Sequence, residues 1–105
     1  MTDPWLTITA LAHRLDTADR AQGLTPEDSC ILQVLKIAEE TGEAAQAVIG
    51  AKGTNPRKGN SHTWGDVHAE VADTVITGLV ALARMRPDAA DNFAAQLKEK
   101  AAKFL

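Results

Sequence analysis

Two short segments of the chain carry acids at a spacing that could hold a metal ion. The first is Glu39-Glu40-Thr41-Gly42-Glu43 and the second is Glu70-Val71-Ala72-Asp73. Glu40 with Glu43, and Glu70 with Asp73, stand three residues apart, and residues at that spacing leave a helix from the same side. Brought face to face, these carboxylates repel one another unless a cation neutralises them. Their donors are all oxygen, which suits Mg²⁺ or Mn²⁺ better than zinc. A di-iron bundle would need Glu-x-x-His pairs, and neither segment supplies the histidine. Either segment alone reads more readily as a solvated helix face. The two together, with a basic glycine-containing loop between them and apolar flanks, favour metal ligation.

That loop supplies Lys52, Arg57 and Lys58, whose ammonium and guanidinium groups could pair with a metal-bound polyphosphate or simply be solvated. Asn55 could bond a base or sugar, or serve the Asn-Pro turn. Trp64 could stack on a base, although a tryptophan opening a helix is more often a packing anchor. His62 and His68 fit surface or capping roles better than ligand roles, and nothing is assigned to His13. Cys30, in the apolar run Cys30-Ile31-Leu32, reads as a packing residue, and a lone cysteine points to a reducing compartment.

Helices must position these groups. Alanine is frequent, and valine and isoleucine never alternate in the strict manner of a half-buried strand. A first helix is expected over residues 4–22, stopping at Gly23. Thr25-Pro26-Glu27-Asp28 then combines a capping hydroxyl, proline in the first turn and acids at the positive end of the helix dipole, which starts a second helix reaching about Ala51. Ile31, Val34, Leu35, Ala38, Ala45, Val48 and Ile49 are expected to form its buried face, with Gly42 on the same side. Residues 52–62 cannot continue a helix. A third helix follows over residues 63–84, with Asp66, Glu70, Asp73 and Thr77 on one stripe and Val71, Val75, Leu79 and Leu82 opposite. Arg86-Pro87-Asp88 breaks the chain before a fourth helix running almost to Phe104. The fold class is all-α: a four-helix bundle, either compact in itself or one half of an intertwined one.

At 105 residues the chain is a single domain, 1–105, able to bury about two thirds of its unfolded surface. With 45% hydrophobic and 24% charged residues it is not composed like a disordered chain. A net charge of -3 argues against a nucleic-acid polymer as partner. The amino terminus lacks the basic region and apolar run of a secretory signal, and no apolar stretch approaches the ~20 residues of a membrane span, so we expect a cytoplasmic protein with no membrane partner.

Glu39-Glu40-x-x-Glu43, a spacer of 26 residues, then Glu70-x-x-Asp73 resembles the signature of the MazG-like family, within the all-alpha nucleoside triphosphate pyrophosphohydrolases. The likeness covers residues 32–84, about half the chain. It implies that Glu40, Glu43, Glu70 and Asp73 coordinate Mg²⁺, with Mn²⁺ able to substitute, and that Glu39 orients or deprotonates the attacking water. It further implies cleavage between the α- and β-phosphates of a nucleoside triphosphate, in a helical core completed by self-association as a homodimer or homotetramer, with the clearance of non-standard nucleotides as one role. Family members commonly place arginine after the second motif; this tail offers Lys98 and Lys100 instead. Two alternatives stand beside the enzyme: a catalytically weak or inactive nucleotide-binding regulatory module of the same fold, and a structural helical interaction domain.

Overall fold

The computed structural model describes residues 2–105; Met1, with which the amino-terminal reading begins, lies outside the described residues. Among those residues the chain forms α1 (Pro4–Ala21), α2 (Pro26–Lys52), α3 (Trp64–Met85) and α4 (Ala89–Ala102), and no strand. Each boundary falls within two residues of the expected one, because the start and stop signals are chemically explicit. Asp3 caps α1 by accepting the Trp5 amide at 2.9 Å, with Pro4 next in line. Thr25 and Asp28 form a reciprocal capping box at the head of α2, and Thr63 and Asp66 form another at the head of α3. Backbone bonds from Thr25 and from Thr63 hold the Asp28 and Asp66 carboxyls below the usual carboxylate range. Gly53, at φ 70°, ends α2 in a left-handed cap whose amide reaches back to the Ile49 carbonyl.

The principal packing is α2 against α3. Gln33 Nε2 donates to the Thr77 carbonyl at 3.2 Å, Glu40 and Glu43 approach Glu70, and Gly50 lies against Ser61 and His62. That sequence of partners defines an antiparallel hairpin. α1 lies across it: Ile8 and Ala12 pack on Val80, with Trp5, Leu79 and Ala83 around them. A polar knot fastens the other end of α1. The Arg84 side chain, 4% exposed, donates to Asp16 at 2.8 Å, to Gln33 at 2.7 Å and to Asp19 at 2.5 Å, while Ser29 donates to Asp19 at 2.8 Å. Burial alone would lower the Arg84 pKa, but the bonds to Asp19 and Asp16 prevail and raise it. The Ser29 hydroxyl, followed by Arg84, holds Asp19 below its usual range. α4 touches the rest lightly, with Trp5 and Phe93 rings 6.0 Å apart and tilted by 58°.

The faces of the central helices differ from expectation. Ile31, Val34, Leu35, Ala38, Ala45, Val48 and Ile49 do not turn toward α3; they are exposed, Leu35 by 60%. The face that α2 buries within the chain runs through Ser29, Gln33, Ala47 and Gly50 instead. On α3, Val71 and Val75 are likewise exposed, whereas Thr77 and, in part, Glu70 face inward. The apolar stripe is present but has no partner within one chain. The core is correspondingly small, with Ile8, Ala12, Ala47, Val80, Ala81 and Ala89 its buried apolar residues. The radius of gyration is 16.7 Å, whereas a self-contained domain of this length has about 13 Å. Gly42 is exposed, and among the described residues nothing lies within 4 Å of the place a Cβ would take. Close approach occurs at Gly50, where a Cβ would collide with His62 Nδ1 and Ser61 Oγ.

Candidate metal centre

Glu40 and Glu43 leave α2 one turn apart and meet Glu70 from α3, so that one carboxylate oxygen of each lies within 4.8 Å of the others. Antiparallel packing makes this possible, since the middle of α2 is level with the second turn of α3. Glu40 and Glu70 are half-buried, and Glu43 is exposed. The Glu70 Oε2 atom is buried with no hydrogen-bond partner. A desolvated carboxylate oxygen left unpaired costs free energy, and its residue stands among two more carboxylates. Three converging oxygen donors with one orphan fit a hard divalent cation. Such a cation would hold these groups together and meet the Glu70 oxygen.

Asp73 stands one turn further along α3, exposed and outside this group. Glu39 is not among the three converging acids; its side chain is 64% exposed and lies 3.8 Å from Lys36 Nζ. Lys36 also approaches Glu40 at 3.7 Å. Of the cations near the acids Lys36 is the nearest, and motif reading passed over it, although the i,i+3 and i,i+4 relation to Glu39 and Glu40 is a plain helical signal.

The loop over residues 53–63 folds back on the end of α2. Asn55 Oδ1 accepts the amides of Arg57 at 2.9 Å and Lys58 at 3.0 Å, so its side-chain carbonyl serves the turn. Asn60 Nδ2 donates to the Ala51 carbonyl at 3.1 Å, clasping the loop to the helix. Between loop and helix is a cavity of about 230 Å³ lined by Gln46, Gly50, Asn55, Lys58, Ser61 and His62. Gln46 follows Glu43 by three residues, so the cavity adjoins the acid group along one face of α2. Of the expected substrate contacts, Asn55 and Lys58 line it, whereas Lys52, Arg57 and Trp64 do not. Those three are exposed. Ser61 and Gln46 carry no signal in the sequence, and His62, expected in a surface or capping role, lines the cavity, its Nδ1 2.9 Å from Ser61 Oγ.

A second cavity, of about 370 Å³, opens at the seam of α1, α2 and α3 beyond Lys36. Among the described residues no helix is long and apolar enough to cross a membrane. The chain matches no protein-family model, no curated protein and no solved structure.

Proposed function

We propose that this chain is a Mg²⁺-dependent nucleoside triphosphate pyrophosphohydrolase of the MazG-like kind, releasing a nucleoside monophosphate and pyrophosphate. The observation that supports this best is the convergence of carboxylate oxygens from Glu40, Glu43 and Glu70 within 4.8 Å of one another, with Oε2 of Glu70 buried and unpartnered. Glu40, Glu43 and Glu70 hold the cation, and Asp73 joins them through water or a modest shift of α3. A bound divalent cation supplies neutralisation of phosphate charge and acidification of a water molecule. Glu39, exposed beside the group, accepts the proton of the attacking water. Lys58 and His62 meet the distal phosphates in the polar cavity beside Gln46. Carboxylates on two rigid helices keep these elements in register.

The protein works as a homodimer or homotetramer in this proposal. The exposed stripe of Ile31, Val34, Leu35, Val48 and Ile49 supports it, as does a chain too extended for its length. The test is pyrophosphate release from a panel of standard and modified nucleoside triphosphates, with Mg²⁺, with Mn²⁺ and with chelator. Release is expected only with a divalent cation, and it should disappear in Glu40→Ala and Glu70→Ala. Metal-dependent nucleotide binding without product over hours would replace the enzyme with a regulatory module. Unchanged turnover in those variants would remove the cluster from the mechanism.

A further inference from the structure

The acid group sits between two cavities of opposite character. Toward the carboxyl end of α2 lies the polar one, with Lys58 and His62. Toward its amino end lies the larger groove, walled by Leu15 of α1, Leu32 of α2, and Ile76 and Val80 of α3, with Gln33, Lys36 and the charged Arg14, Asp19 and Arg84 also lining it. Its volume of about 370 Å³ is that of a small-molecule site, and a largely apolar wall with few fixed polar groups is how such sites are built. Lys36 joins groove to acids, for it lines the one and lies 3.7 Å from Glu40 in the other.

Gln33 gives the groove a defined polarity. It is 6% exposed, and its amide has one allowed orientation. Arg84 can only donate and does so to Oε1 at 2.7 Å; the Thr77 carbonyl can only accept and does so from Nε2 at 3.2 Å. One amide hydrogen of Gln33 is left over. The ion pairs of Arg84 with Asp16 and Asp19 fix the guanidinium that fixes the amide. The groove therefore presents a pre-set donor among apolar side chains.

We infer that this groove receives the nucleoside end of the substrate, with the base between Leu15, Leu32, Ile76 and Val80, and that the remaining amide hydrogen of Gln33 meets an acceptor on the base. The inference rests on the nucleotide-hydrolase proposal. The triphosphate then runs past Lys36 to the acids and on toward Lys58, so the substrate lies lengthwise along the α2–α3 seam. From Gln33 to Glu40 the helix rises about 10 Å, room for a base and sugar before the first phosphate. Lys36 stands where the groove opens toward the acids, and Lys58 lies in the polar cavity beyond them.

The experiment is methyl NMR on the full chain in Mg²⁺, titrated separately with thymidine monophosphate, adenosine monophosphate and inorganic pyrophosphate, alongside a pyrophosphate-release assay. Thymidine monophosphate should move the methyl signals of Leu15, Leu32, Ile76 and Val80 saturably, and pyrophosphate should leave them in place. Adenosine monophosphate should move the same methyl signals, because adenine ring nitrogens accept a hydrogen bond as a carbonyl oxygen does. Ile76→Trp, at an exposed wall position, should weaken nucleotide binding by about tenfold while pyrophosphate binding stays within about twofold; Leu32→Trp repeats the block from another helix. Hydrolysis of nucleotide with no movement of these methyls would overturn the assignment and leave the catalytic proposal standing. Methyl shifts that follow protein concentration but not nucleotide would overturn it too, giving the groove to a second copy of the chain. Nucleotide-dependent shifts in a protein that releases no pyrophosphate would uphold the groove and remove the catalysis.

Discussion

Replacing Glu70 by glutamine should stabilise the metal-free protein and abolish its response to Mg²⁺, a pairing of effects that no purely structural role for this residue produces. Glu70 has two carboxylate neighbours within 4.8 Å. At that distance two unit charges repel by about 0.9 kcal/mol in water and about 3.5 kcal/mol at an effective dielectric of 20. The lower part of that range applies, because Glu43 is exposed and Lys36, at 3.7 Å, offsets part of the Glu40 charge. A net gain of about 1 to 2 kcal/mol follows for Glu70→Gln, a rise of about 5–10 °C in the midpoint of a domain this size. In the parent chain, Mg²⁺ at a hundred times its dissociation constant should add about 2.7 kcal/mol. Thermal unfolding in chelator and in Mg²⁺ measures both effects, with Glu39→Gln, outside the group, as the variant that keeps its Mg²⁺ response. A lower metal-free midpoint for Glu70→Gln, or an equal Mg²⁺ shift in both proteins, would refute the metal assignment.

Three other outcomes follow from the packing. Arg84→Met leaves Asp16, Asp19 and Gln33 without their common donor, and urea unfolding should show a loss of about 3 kcal/mol; a change under about 1 kcal/mol would mean that the knot holds nothing together. Asp19, Asp28 and Asp66 titrate below their unfolded values, near 3.9; the folded state thus binds fewer protons, and their contribution is complete above about pH 5 and lost as pH falls through 4 and below. Comparing Asp66→Asn with the parent across that window should show a flatter acid limb, and an unchanged one would deny the cap its role. Gly50→Ala drives a methyl into His62 and Ser61, so the loop should open to proteolysis and stability should drop by about 1–3 kcal/mol.

Element boundaries were legible because Thr25, Thr63, Pro26 and Gly53 each act within a turn of where they sit. Glu40, Glu43 and Glu70 were legible for a related reason: helical spacing fixes which side chains share a face, and antiparallel packing of two adjacent helices then brings the faces together. Asp73 shares that spacing yet stands outside the group, since register along the seam is set by side-chain packing and not by periodicity. The apolar stripe on α2 is exposed in the single chain for a related cause. Periodicity says that a face is to be covered, not which neighbour covers it. The Arg84 knot was out of reach altogether, joining residues as far apart as Asp16 and Arg84, and no local rule links them. Asn55, open to two roles in the sequence, has its carbonyl taken by the turn.

Every member of the acid group belongs to the single hairpin of α2 and α3, which close on one another across a short loop. Contacts of modest sequence separation form early, so this hairpin is the natural nucleus, with α1 and α4 docking afterwards. Its closure forces like charges together before the remaining helices have contributed anything. Divalent ions should therefore act on the speed at which the chain folds, accelerating it more than they retard unfolding. If the cation binds this group, refolding with Mg²⁺ should then be faster than refolding in chelator.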